Sequence, residues 1–124
     1  MLIAAALIEL AVPDAETIKA RRRVARSVKD RIRQRFNVSV AEVADQDERH
    51  SVVIGCVMVG VDPRHLRDGM EKVVRYVESL GLAEVVADDV TVVRLDEIEE
   101  LSDAEIDDAA PSAWRDDDEA ELEE

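Results

Sequence analysis

Two stretches, Leu2 to Val12 (LIAAALIELAV) and Ser51 to Val61 (SVVIGCVMVGV), are apolar at odd and even positions alike, with Glu9 the one charge among them. A strand with one wet face alternates apolar and polar residues. A run apolar on both parities is covered on both sides and belongs at the centre of a sheet. Both runs are too short to cross a bilayer as helices. The rest of the chain therefore has to be arranged around two central strands.

Pro13 and Asp14 end the first run, and Asp14 is placed to cap a following helix. That helix is predicted from about Ala15 to Phe36. At about 100° per residue, Ile18, Val24, Ala25, Val28, Ile32 and Phe36 gather on one side. Val38 to Ala44 alternates as a strand, and Asp45 to His50 is a polar connection of hairpin length. Beyond the second central run, Asp62-Pro63 is a helix start, with Asp as cap and Pro at the first position. The second helix, Pro63 to about Leu80, places Leu66, Met70, Val73, Val74 and Val77 on its inner face and stops at Gly81. Glu84 to Leu95 is a last strand, with Asp88-Asp89 as a candidate bulge or turn.

The order β-α-β-β-α-β is the ferredoxin-like split βαβ arrangement, an α+β fold. Right-handed crossovers put both helices on one face of a four-stranded antiparallel sheet, with strands one and three in the centre. The two doubly apolar runs occupy those two places. Their second apolar side then faces water on the helix-free face, and a patch of that size marks an interface. The expectation is a homo-oligomer associating through the open sheet face, unless the C-terminal tail folds back over it.

Charge has to be located before it is interpreted. The formal net charge is −14 over 124 residues, yet residues 1–95 carry fifteen Lys and Arg against fifteen Asp and Glu. The imbalance lies in residues 96–124, with fifteen acids and one Arg. The expected domains are thus a neutral 1–95 and an acidic tail, 96–124. In the tail, Asp96 to Asp108 has the makings of a short helix using Ile98, Leu101 and Ile106. From Ala109 onward its composition is that of a disordered segment.

Lys19 to Phe36 (KARRRVARSVKDRIRQRF) holds nine of the sixteen basic residues. Lys19, Arg22, Arg23, Arg26, Lys29 and Arg33 share one sector of the helix, with Asp30 the only acid among them. Six cations along about four turns suit a phosphate backbone, which is bound with salt-sensitive, largely sequence-independent affinity. The alternative is a solvated face that serves solubility alone. Base stacking on the sheet, as in an RRM, is disfavoured because neither central run carries an aromatic residue. Arg21 is the exception in the cluster, since it projects into the apolar sector. A buried guanidinium needs a carboxylate, and the candidates within strands are Glu9 and Glu42, with Glu42 preferred. The competing reading has Arg21 snorkelling to water.

The remaining chemistry is sparse. A single Cys excludes an internal disulfide framework and a Cys-based zinc site. Cys56, inside a central run, is expected to act as a small hydrophobe. His50 beside Asp45, Asp47 and Glu48 resembles a hard-metal or general-base cluster, but a polar turn explains the same residues. His65 has no evident partner. There is no Gly-rich phosphate loop, nucleophile elbow or defensible carboxylate pair. The expectation is a non-enzymatic module with no catalytic residue, no metal and no cofactor. No targeting or membrane-spanning segment is evident either, which suggests a cytoplasmic protein with no membrane partner.

The run Thr17 to Val43, ending RFNVSVAEV, resembles the signature of the YlxP-like family, small bacterial proteins catalogued as a domain of unknown function. The resemblance covers about residues 1–95 and leaves the acidic tail outside. Ala20 and Arg21 stand where the family usually has a charged residue followed by Lys. The resemblance implies a ferredoxin-like fold. It also implies genes lying beside those for translation initiation factor two and a ribosome-binding factor, and hence work near RNA or ribosomal particles. It supplies no catalytic residues.

Overall fold

The computed structural model describes residues 1–13, 15–44 and 50–109. Its elements are β1 (Leu2–Ala11), α1 (Ile18–Arg35), β2 (Ser39–Ala44), β3 (Ser51–Gly60), α2 (Pro63–Ser79) and β4 (Glu84–Arg94). A short 3-10 turn (Leu95–Glu97) and α3 (Asp103–Ala109) follow. The sheet order is β2-β3-β1-β4, antiparallel throughout. The two doubly apolar runs are the central strands. The fold is the ferredoxin-like β-α-β-β-α-β.

The core forms on the helix side. Ala4, Ala6, Ile8 and Leu10 of β1 and Val52, Ile54 and Cys56 of β3 are buried there. Ala25, Val28 and Ile32 of α1 and Leu66, Met70, Val73, Val74 and Val77 of α2 close over them. α1 lies over β2 and β3, and α2 over β1 and β4. Both edge strands are tied to a helix by an arginine. Arg33 Nη2 donates to the Val40 carbonyl of β2 at 2.9 Å, and Arg67 Nη1 to the Val90 carbonyl of β4 at 3.4 Å.

α2 follows the expected pattern closely. Asp62 accepts from the amides of Arg64 and His65, Pro63 takes the first turn, and Gly81 follows the cap with φ +68°. An L side chain is strained in that left-handed conformation, and glycine is not.

Three local expectations need correction. α1 begins at Ile18 rather than Ala15, because Thr17 supplies the cap, its Oγ1 accepting from Ala20 N at 3.0 Å. Ala15 belongs to a turn that donates back to the Val12 carbonyl; Asp14, the expected cap, lies outside the described residues. In β4 the extra residue is Val86, not the Asp88-Asp89 pair, since Glu9 faces Ala87 while Leu10 faces Val85. The third correction concerns the tail. Leu95–Glu97 is a separate 3-10 turn, and α3 starts only at Asp103, where the Ser102 hydroxyl accepts from Glu105 N.

Ile98, Leu101 and Ile106 are each about half exposed, so none of the three is buried in a contact with the sheet. The disorder expected from Ala109 onward falls, apart from Ala109 itself, outside the described residues. Among the described residues, no helix is long and apolar enough to cross a membrane.

Candidate nucleic-acid interface

α1 is an eighteen-residue helix, roughly 27 Å long at 1.5 Å per residue. Its buried side is defined by Arg21, Ala25, Val28 and Ile32. The six basic residues singled out above form a continuous arc beside that stripe, but they are not equivalent. Lys19, Arg22, Arg23 and Arg26 are exposed and make no hydrogen bond or ion pair with any described residue. Lys29 is partly buried. Arg33 is occupied twice, by the Val40 carbonyl and by Asp30, whose Oδ1 lies 3.5 Å from its Nη1. Of the six, those both exposed and unpartnered thereby lie in the first half of the helix.

Arg21 is separated from this cluster. It is 1% exposed, its Nη2 pairs with Glu42 Oε1 from β2, and its Nε donates to the Ser51 carbonyl at the start of β3 at 3.0 Å. The strand register puts Glu42 on the helix side, opposite Ile54. Glu9, the other candidate carboxylate, is exposed in β1, where the alternation turns it to the open face. Arg21 thus links α1 to two strands and is a structural residue.

The second flank of α1 adds residues that the sequence did not single out. Arg23, Arg26, Ser27, Asp30, Arg31, Gln34 and Tyr76 of α2 line a shallow groove of about 510 Å³. Arg35 sits 4.8 Å over the Tyr76 ring, and Phe36 meets the same ring edge-on at 5.5 Å. Lys72, one turn before Tyr76 on α2, is exposed. The helical wheel of α1 puts Arg31 at the border of the apolar sector and Arg35 within it, at the last turn. Only the packing of α2 reveals that they border a groove with an aromatic floor. No aromatic residue stands on β1 or β3, so the sheet offers no stacking platform.

The weaker candidates resolve into structure. His50 Nδ1 lies 3.3 Å from the Val12 carbonyl, while the His50 carbonyl accepts from Val12 N at 2.8 Å, closing the β1–β3 end. The acids grouped with it, Asp45, Asp47 and Glu48, lie outside the described residues. Among the described residues no cluster of His, Cys, Asp or Glu is arranged to hold a metal.

Burial pushes the Cys56 thiol up to about 11 from an ordinary 9.0. The unfolded thiol ionises first, so the fold keeps its full stability with respect to Cys56 below about pH 9 and loses some as pH rises toward 11. Urea midpoints of wild type and Cys56→Ala, taken at pH 8 and pH 10.5, should therefore show the larger alkaline drop in wild type. At pH 8 the native thiol should be inert to a thiol-disulfide reagent and should react once the chain is unfolded.

A family described as "Protein of unknown function (DUF503)" matches residues 3–90. No curated protein matches. Among solved structures, the chain is similar to the solution structure of a de novo designed protein with a ferredoxin fold, at 13% identity and a TM-score of 0.42, covering 82% of this chain and 95% of the other. It is also similar to Rv0793 from Mycobacterium tuberculosis, at 17% identity and a TM-score of 0.43, covering 82% and 100%.

Proposed function

We propose that this chain, which belongs to the DUF503 family of proteins of unknown function, is a non-enzymatic module that binds RNA phosphates through α1. One observation carries the reading. Lys19, Arg22, Arg23 and Arg26 project to solvent from one helix with no partner among the described residues, on a domain whose basic and acidic residues are equal in number. Cations placed this way recognise a backbone by charge and shape, without reading sequence. Arg31, and Arg35 where it covers the Tyr76 ring, extend the basic surface toward the groove between the helices. The YlxP-like resemblance makes ribosomal particles the natural first probe.

The test uses the full chain, a labelled single-stranded RNA and purified ribosomal subunits across a salt series. Arg22→Glu/Arg26→Glu should weaken RNA binding at least tenfold at low salt and reduce the salt slope by about 1.4, the share of two single-strand phosphate contacts. Both residues are exposed, so the variant should keep its fold. Unchanged retention by RNA and by ribosomal subunits would remove the proposal. The acidic segment competes for the same surface by charge. Removing residues 96–124 should therefore strengthen binding, most clearly at low ionic strength.

A further inference from the structure

The helix-free face of the sheet is exposed and apolar. Leu7 is 47% exposed, Val57 41% and Val59 61%, and with Ile3 and Ala5 they make an apolar surface on this face. Ile98, Leu101 and Ile106 are not buried against it. We propose that its occupant is a second copy of this chain, packed sheet to sheet about a two-fold axis that runs across the strands.

The argument for a second copy comes from the register. Across the middle of the face, one level reads Ser39, Val57, Ala5, Thr91 in strand order, and the next reads Ala41, Gly55, Leu7, Asp89. In the middle of each central strand a large residue neighbours a small one on this face: Leu7 stands two residues from Ala5, and Val57 two residues from Gly55. The small residues floor a shallow hollow of about 440 Å³ between these ridges. A two-fold axis across the strands, passing between the two levels, exchanges the levels and keeps the strand order. It lays Leu7 over the partner's Ala5, large on small, and Val57 over the partner's Gly55, beside the Val43 that partly covers that glycine. It also lays Asp89 over the partner's Thr91, a carboxylate on a hydroxyl that can donate to it.

An axis running along the strands satisfies size as well, but it brings the two Glu9 side chains to the same level on neighbouring strands, where like charges repel. The crosswise axis sets each Glu9 at the level of the partner's Ile3. Gly55 is itself partly covered within one copy. Val43, the bulged residue of β2, folds over it, and a Cβ at Gly55 would meet Val43 Cγ1 at 2.9 Å.

The area is sufficient for a reversible dimer. The four strands hold ten, six, ten and eleven residues, which at about 3.3 Å by about 4.8 Å per residue present on the order of 600 Å² per copy. Doubling that reaches about 1,200 Å², the lower bound for a specific interface. The helices lie on the outer faces of such a dimer, so both α1 surfaces stay accessible. The inference is independent of whether those surfaces bind RNA.

The experiment is sedimentation equilibrium of the full chain between 1 and about 100 µM, the range expected for an interface of this size. Wild type should approach twice its 13.8 kDa chain mass. Leu7→Asp should raise the dimer dissociation constant by about 100-fold, since it buries two carboxylates without partners. Ala5→Leu should also give a monomer, by filling the hollow. Adding Leu7→Ala to Ala5→Leu should restore the dimer, because positions 5 and 7 face one another across the axis and the sizes are merely exchanged. Far-UV circular dichroism confirms that each variant is folded. Any of three outcomes overturns the proposal: a monomeric wild type at 100 µM, a Leu7→Asp protein that still dimerises, or a double variant that stays monomeric. If wild type is monomeric and removal of residues 96–124 creates the dimer, the acidic segment is the occupant and the second copy is not.

Discussion

Replacing Glu42 by Gln should cost on the order of 3 kcal/mol of folding stability, read as a lowered urea midpoint at unchanged slope. Arg21 is 1% exposed and Glu42 is itself mostly buried, at 12% side-chain exposure. Their attraction acts where water screens little, and removing the carboxylate leaves the guanidinium charge in place. A domain of this size is stable by about 5–15 kcal/mol, so the loss is a large fraction of the total. Arg21→Met with Glu42→Gln should recover much of it, because an apolar chain of similar length needs no counter-charge. The Ser51 carbonyl still loses its Nε donor in that pair, so recovery should be incomplete. The two single variants and the double variant form a cycle whose coupling energy measures the pair. Equal stability of Glu42→Gln and wild type would show that Arg21 is held by its other contacts alone.

The second large effect lies in the central strand. Ile8 is fully buried and pairs across the sheet with Ile54, also fully buried. Ile8→Ala should lose about 2–5 kcal/mol through lost transfer free energy and the cavity left beneath the helices. Leu7, the next residue, points to the opposite face and is 47% exposed. At concentrations too low for association, Leu7→Ala should cost less than about 1 kcal/mol. Thermal melts of both variants at submicromolar protein separate the two faces of β1 directly. Similar losses for both would mean that the open face is covered within one chain.

That contrast shows how much of the fold was legible in the residues. Period-two and period-3.6 spacing are local properties, and they identified the helices, the strands and the core side of α2. Asp62-Pro63 and Gly81 bounded that helix because capping is decided within a few residues. The doubly apolar runs marked β1 and β3, the two strands that the β-α-β-β-α-β order puts in the centre. Arg21 was visible as a charge in an apolar sector, and Glu42 as a carboxylate within reach.

The candidate site was legible only in outline. The wheel of α1 placed six cations on one sector, but it treated them as equals. Arg33 leaves that set because β2 brings the Val40 carbonyl within 2.9 Å, and Arg31 and Arg35 gain a groove because α2 brings Tyr76 beside them. Both depend on residues distant in sequence.

By itself, then, the sequence determined the order of elements, the two central strands and the existence of a basic helix on a domain of balanced charge, because these follow from side-chain polarity repeated at the period of the backbone. The tertiary structure alone decided which carboxylate meets Arg21, which cations remain exposed, and that Val43 and Val86 are the residues without a partner in the ladder. Each of these depends on cross-strand register and helix-to-sheet packing, where a displacement of one residue turns a side chain to the other face.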